Sequence, residues 1–431
     1  MKRLLILASK LGYQTRSFAE AAARLGAEVV FGTDRCGGLD DPWADGAVPL
    51  HFENPQHAAQ RIAESFREKR VDGIVALGDR PTSTAAHAAL ALGLTYNSPE
   101  SVENCRTKLR QREVLCAAGL PAPDFFAFPL DEEIARVLPR VKFPCVVKPL
   151  ALAASQGVIR ANNPSEFTVA AKRNKALLES PELRATREPS LDRLLVERYV
   201  PGEEVAIEAL LTNGELRVLA IFDKPGHPEG PYFEESIYVT PSQQPALAQA
   251  SLAATLRASA RALGLTHGPV HAEFRLNEDG PWVLEISPRP IGGLCSRALR
   301  FGAEKIFLEE LLVRHALGLP GSELPRVKDS SGVMMIPVPK SGILECVEGE
   351  AAAETTPGVT ELHITARLHD HIAAWPEGSS YLGFIFARGD SPEEVVAALQ
   401  QAHAKLRFTL VERLPVEHPL AGHVPARASE R

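Results

Sequence analysis

Apolar positions along this chain follow two rhythms, and the change between them divides it. In residues 1–100, short continuous apolar runs alternate with stretches carrying an apolar residue every three or four positions. The runs at 4–8, 28–31 and 73–77 predict buried strands. Residues 16–25, 55–69 and the Ala-rich 82–92 predict helices between them. Strands alternating with helices imply a parallel sheet covered on both faces. The segment after the first strand, residues 9–15, lacks the Gly-x-Gly-x-x-Gly pattern and predicts no dinucleotide site. Gly78-Asp79-Arg80 stands just past a strand, where ligands of open α/β sheets bind. A strand-ending turn is the simpler account of it.

From residue 101 the pattern loosens. A helix is expected over 103–118, stopping at Gly119 before Pro121 and Pro123. A strand at 145–148 and a helix at 164–178 follow, then a polar stretch with two prolines, 179–192, expected as a mobile loop. Strands are expected at 194–200, 205–211 and 216–223, a loop at 224–236 and a helix at 246–263. Residues 318–327 are rich in Gly and Pro and read as a linker. Residues 331–410 mix strands, Gly turns and one amphipathic helix at 392–406, the pattern of a small α+β domain. The expected division is 1–100, 101–322 (with a closing lobe at about 145–210), 323–415, and a disordered tail at 416–431.

The densest pattern runs from His271 to Arg289. Two strand-like segments flank a polar stretch that ends in Gly280, as in a hairpin. If Asn277 faces Pro281, with three residues between them, Glu273 lies opposite Glu285, because side chains alternate faces with period two. Ala272, Phe274, Leu276, Trp282, Leu284 and Ile286 then point into a core, while His271, Glu273, Arg275, Glu285 and Ser287 share the other face with Val283. Opposed carboxylates repel unless a cation lies between them. Mg²⁺ commonly binds one or two carboxylates plus substrate phosphates. The hairpin is therefore a candidate magnesium–nucleotide site.

Composition narrows the class without changing this picture. The 431 residues are 45% apolar and 23% charged, with a net charge of −7 and no basic block, which argues against a nucleic-acid surface. Six cysteines (36, 105, 116, 145, 295 and 346) include no Cys-x-x-Cys pair and fit reduced core thiols. The apolar stretch at 4–8 is too short for a secretory signal, and no run reaches membrane-spanning length. A soluble, cytoplasmic protein is expected.

Further candidates surround the hairpin. Lys148 ends an apolar strand before the small-residue loop Pro149–Gly157, where Ser155, Gln156 and Gly157 with the lysine could hold phosphate oxygens. Lys108, on the preceding helix, is a second phosphate candidate. Glu197, with the backbone at Tyr199 and Val200, could recognise adenine, and Glu204 past the turn could take ribose hydroxyls. Arg289 follows the second carboxylate strand, placed to hold a carboxylate or a transferring phosphoryl group. Gly292-Gly293 would offer backbone N–H groups to an anionic intermediate.

The order of these parts resembles the ATP-grasp superfamily: a lysine on a helix, Lys148 and its loop, Val-Glu-x-Tyr-Val-Pro-Gly-Glu, then His-Ala-Glu-Phe and Leu-Glu-Ile-Ser-Pro-Arg-Pro-Ile-Gly-Gly. It is most similar to the L-amino acid ligases and carnosine-synthase-like carboxylate–amine ligases, and the likeness extends to residues 378–389. The resemblance implies an α/β ATP-grasp fold: a Rossmann-like N-terminal (pre-ATP-grasp) domain, a two-lobed grasp and a small α+β C-terminal domain. It implies ATP and Mg²⁺ (with Mn²⁺ as a substitute), phosphates on Lys108 and Lys148, adenine at Glu197, Tyr199 and Val200, and ribose at Glu204. Metal would sit on Glu273 and Glu285, with Ser287 as a weaker third ligand that leaves one position to water, and phosphoryl transfer would be stabilised by Arg289. Glu234 or Glu235 could pair with an amino group, and His271 either faces the second substrate or is a satisfied strand histidine. Partners would be a small-molecule carboxylate and amine, with no nucleic acid or membrane, and a homodimer is admitted. Two departures stand out: Ser287 where many relatives carry Asn, and an Ala-rich loop with one glycine. The implied activity is amide-bond formation through an acyl-phosphate. The alternatives are bicarbonate or formate activation, as in biotin-carboxylase-like and purine-pathway enzymes, and a nucleotide-binding module without chemistry.

Overall fold

The computed structural model describes residues 1–9, 12–34, 47–226, 230–234 and 236–412. The expected tail at 416–431, Cys36 and Glu235 lie outside them. Strands β1 (Arg3–Ala8), β2 (Glu28–Thr33), β3 (Val48–Pro49) and β4 (Gly73–Leu77) form a parallel sheet in the order β3-β2-β1-β4. Leu4 and Ile6 pack into one core while Leu5 and Leu7 pack into another. An unbroken apolar run requires that two-sided burial. Helices α1 (Tyr13–Arg24), α2 (Pro55–Ser65) and α3 (Arg80–Leu92) flank the sheet.

The helix expected over 103–118 is two. α4 (Pro99–Arg106) and α5 (Lys108–Ala117) meet at Thr107, whose backbone is extended and whose hydroxyl accepts the Arg110 N–H as an N-cap. The break sets Lys108 at the start of a new helix, its N–H donating to the Leu150 carbonyl at 2.9 Å.

Beyond it, β5 (Phe125–Pro129), β6 (Cys145–Pro149), β7 (Ile159–Ala161) and β8 (Arg193–Arg198) make an antiparallel lobe, ordered β5-β8-β6-β7 and backed by the helix Pro164–Leu178. The stretch expected as a mobile loop contains two short helical turns, Pro181–Arg184 and Pro189–Asp192. Between them Glu188 pairs with Arg106 at 3.0 Å.

The largest sheet has eight strands. β9 (Glu203–Thr212), β10 (Glu215–Asp223), β11 (Ile237–Thr240), β12 (Gly268–Asn277) and β13 (Gly280–Ser287) supply five of them. Ser330–Ile336, Gly383–Gly389 and Val359–Ile364 continue the same sheet past β11, so these strands, expected in a separate domain, share their hydrogen-bonded frame with the site. Along β9, Val205, Ile207, Ala209 and Leu211 pack on the helix Ala246–Leu263 and α5. Ala206 and Leu210 face the opposite core, which puts Glu204 and Glu208 on their side of the sheet.

The β12–β13 hairpin is tighter than expected. Asn277 faces Gly280, not Pro281, and a register shift after Glu273 takes up the difference, so Glu273 still lies opposite Glu285. Below the bulge the inside and outside positions of β13 exchange. Val283 is fully buried, whereas Trp282 and Leu284, expected in the core, are half-buried and Leu284 lines the cleft.

Where the parallel sheet meets the large one, His267 and His315 stack with ring centroids 4.4 Å apart, and His315 Nε2 lies 2.9 Å from the Thr212 hydroxyl. Burial, aided by the neighbouring His267 and Arg217, pushes His315 down to about 4. Because the unfolded ring binds its proton near pH 6.5, stability present above that pH is lost as pH falls through about 4. The loss is on the order of 3 kcal/mol. His315→Gln is expected to flatten this acid limb in melting curves between pH 7 and 4; an unchanged limb would contradict it. Among the described residues, no helix is long and apolar enough to cross a membrane.

Candidate active site

Between the antiparallel lobe and the large sheet lies a cleft of about 320 Å³. Its floor is built by register. β12 pairs with β9 so that His271 opposes Glu208 and Arg275 opposes Glu204, while Glu273 opposes Glu285 on β13. Period-two alternation thus sets acidic and basic side chains on one face of three adjacent strands. Each floor carboxylate has a cation beside it. Glu285 lies 3.0 Å from Lys108 Nζ, and Glu273 lies 3.0 Å from Lys224 Nζ and 3.4 Å from the Tyr238 hydroxyl. Lys224 also reaches Glu204 at 2.8 Å, and Arg275 holds Glu204 from the other side at 3.2 Å.

His271 is a buried member of this floor. Its Nδ1 is 2.5 Å from Glu208 and its Nε2 is 3.6 Å from Glu273. Burial disfavours the charged ring, but the two carboxylates outweigh it and raise its pKa to about 9. His271 therefore faces the cleft as a cation at neutral pH.

The roof is the lobe. Lys148 leaves β6 with its Nζ 2.6 Å from Glu197 on β8, and Arg112 from α5 approaches the other oxygen of Glu197 at 2.8 Å. Burial opposes ionisation of Glu197, yet its two cations hold it below the usual carboxylate range. Burial lowers the Lys148 ammonium, which shares that single carboxylate with Arg112 while Lys108 stands nearby. Glu197 lines the cleft with each oxygen beside a cation. The Tyr199 N–H already donates to the Pro144 carbonyl at 2.9 Å, and Val200 lines the cleft beside it.

Arg289 grips Asp79 bidentately at 2.8 and 3.1 Å, and Ser287 hydrogen-bonds the same carboxylate. The Gly78-Asp79-Arg80 segment, for which a strand-ending turn is the simpler sequence account, thus carries a side chain that orients Arg289. Ser287 is directed at Asp79 and is absent from the cleft lining among the described residues. Gly292 and Gly293 line the cleft beside Arg289. Of the loop residues, Ser155 lines the cleft, whereas Gln156 and Gly157 bond the segment at 376–377. Glu234 accepts the Val338 N–H at 3.2 Å and does not line the cleft.

Two side chains that hold cleft residues in place, Arg112 and Glu208, escaped the sequence reading. Arg112 lies four residues after Lys108, and Glu208 four after Glu204, so helical and strand periodicity respectively could have found both. Asp79, noted past its strand, and Lys224, in the loop that resembles a substrate-facing segment, meet their partners Arg289 and Glu273 only through tertiary packing. Among the described residues, no cluster of three or more His, Cys, Asp or Glu side chains forms a metal cage. Two opposed carboxylates, each beside a cation, suit Mg²⁺ carried in on substrate phosphates.

Sequence and fold are similar to those of known proteins. Residues 141–298 match the ATP-grasp domain, 19–95 the ATP-grasp N-terminal domain, and 334–411 the L-amino acid ligase C-terminal domain 2. An uncharacterized protein, y4rH, of Sinorhizobium fredii (strain NBRC 101917 / NGR234) is 24% identical over 95% of this chain and 84% of its own length. Carnosine synthase 1 of Gallus gallus is 30% identical over 63% of this chain, which spans only 30% of that longer protein. The crystal structure of an L-amino acid ligase from Bacillus licheniformis superposes with a TM-score of 0.80 at 28% identity, covering 96% of this chain and 99% of that one. The three domain matches, in this order along the chain, and the superposition over nearly its whole length place the chain in the ATP-grasp superfamily, with a C-terminal domain of the L-amino acid ligase kind.

Proposed function

We propose that the protein is an ATP- and Mg²⁺-dependent ligase that joins the carboxylate of one amino acid to the amine of another. The observation that carries this reading is the pairing of Glu273 with Glu285 across the hairpin, inside a ring of cations made by Lys108, Lys224 and His271. Similarity to an L-amino acid ligase over nearly the whole chain supports the class of substrates.

A substrate carboxylate oxygen attacks the γ-phosphorus of ATP, the bond to the leaving ADP oxygen breaks, and an acyl-phosphate forms. The amine nitrogen then attacks the acyl carbon. The carbon–oxygen bond to phosphate breaks and the nitrogen gives up a proton to the departing phosphate, leaving an amide. Mg²⁺ held by Glu273 and Glu285 would neutralise charge on the phosphate oxygens. Lys108 and Lys148 line the phosphate path, and Arg289, aimed by Asp79, faces the transferred group. His271, held by Glu208, is placed on the cleft floor as an anion contact. With no covalent protein intermediate, the catalytic contribution is positioning and charge neutralisation.

The test is phosphate release from Mg·ATP across single amino acids and pairs, with masses of the products. Release that depends on a pair, with a matching dipeptide mass, is expected. Release driven by bicarbonate or formate alone would replace the reading, as would tight ATP binding without turnover on any pair.

A further inference from the structure

The loop between β6 and β7 faces the cleft through Leu152, Ala153, Ala154, Ser155 and Val158. It turns by an unusual route: Ala154 and Ser155 both have φ near +55°, at 55° and 54°. Non-glycine residues in that region are strained, and they persist where surrounding structure over-determines them. Here the surroundings belong to the C-terminal region. Trp375 Nε1 donates to the Ala154 carbonyl at 2.9 Å, Gln156 Nε2 donates to the Glu377 carbonyl at 2.7 Å, and the Gly157 N–H donates to the Pro376 carbonyl at 2.8 Å. The Glu377 carboxylate forms an ion pair with Arg173 on the lobe's helix, through Nε and, at 2.8 Å, through Nη2.

The same segment reaches the other end of the cleft. Ser379, Ser380 and Tyr381 line it with Arg289, Gly292 and Gly293. Trp375 and Tyr381 are in ring contact at 5.0 Å, and Tyr381 touches Phe384, which packs against Gly293. Gly378 joins the halves in a tight turn, where an added Cβ would lie 2.1 Å from the Ala373 carbonyl oxygen. Two ends of one cleft are thus bridged by seven residues, held at Trp375, Pro376 and Glu377 on one side and at Tyr381 on the other.

We infer that residues 375–381 couple occupancy of the substrate end of the cleft to closure of the 152–158 loop over ATP, with Trp375 and Glu377 as positioning residues. The inference rests on the ligase reading above. In its absence the Ala154–Ser155 turn relaxes to ordinary backbone, and ATP is held loosely and spent on water.

The experiment measures ADP release and dipeptide formation by wild type, Trp375→Phe, Glu377→Gln, Arg173→Gln and the Arg173→Gln/Glu377→Gln double variant. Trp375→Phe keeps the ring against Tyr381 and deletes only the donor. For it and Glu377→Gln the KM for Mg·ATP is expected to rise about fivefold, the size of a lost hydrogen bond or ion pair. Dipeptide formed per ADP should fall while kcat changes less. The double variant should be no worse than either single one, because the pair acts as a unit. Unchanged KM and unchanged product per ADP in Trp375→Phe and Glu377→Gln would overturn the coupling, as would a raised KM with full product yield. Wild type that releases ADP with no dependence on amino acids would overturn the ligase reading itself, whatever the variants do.

Discussion

Glu285→Gln is expected to lower ADP release by at least about 10²- to 10³-fold, the range seen when one preorganised charge-stabilising group is removed. Melting should stay close to wild type. Glu285 is on the cleft face of β13, with a quarter of its side chain exposed, and the amide keeps its shape. What changes is charge. Lys108 Nζ retains the Leu152 carbonyl at 2.9 Å but loses its ion pair, so the floor becomes one unit more positive. A divalent ion on ATP phosphates would then meet Glu273 alone. Glu273→Gln should give a similar loss, and the double variant should be little worse than either, because residues acting as one unit are non-additive. Titrating Mg²⁺ and Mn²⁺ against each variant separates metal from fold: the midpoint should move to higher metal concentration in both. Wild-type turnover by Glu285→Gln would sink the metal assignment.

Why that pair was legible in the sequence, when its surroundings were not, is a matter of periodicity and distance. Strand alternation alone put Glu273 opposite Glu285, although by an argument that missed two features. The turn is shorter by one residue and the bulge restores it, so the two errors cancelled at Glu273 and appeared only below it, at Trp282, Val283 and Leu284. A bulge leaves no mark in composition. Likewise, most element positions followed from apolar rhythm, while the break at Thr107 did not. A threonine inside a periodic stretch reads as helix interior until its hydroxyl is seen capping Arg110. The partners that complete the site, Asp79 for Arg289 and Lys224 for Glu273, are 210 and 49 residues away in sequence. No local pattern encodes such contacts. Glu197 shows the opposite case. Its position beside Tyr199 and Val200 was noticed, but its side chain faces two buried cations, a fact that depends on α5 packing behind β8.

That triad carries the second large effect. Glu197→Leu leaves Arg112 and Lys148 buried together without their shared carboxylate, and an uncompensated buried charge typically costs about 3–5 kcal/mol. Arg112 is fully buried and keeps only the Leu284 carbonyl, at 2.8 Å, as a strong acceptor. Lys148 has the softer response, since an ammonium can shed its proton whereas a guanidinium cannot. The sign of the pH dependence follows. In the variant the Lys148 pKa falls further below its unfolded value near 10.4, so stability is lost at neutral pH and regained as pH rises toward that value. Glu197→Gln, which keeps one acceptor oxygen, should fall between the two. Because the lobe has its own sheet and hydrophobic core, a single melting temperature is a poor readout of it. Hydrogen exchange at Cys145–Pro149 and Arg193–Arg198 reports on the lobe directly. Faster exchange in Glu197→Leu at pH 7, slowing toward pH 9 relative to wild type, is the expected result. Exchange matching wild type across that range would mean that the three charges are not mutually dependent, and that Lys148 can meet ATP without Glu197 to hold it.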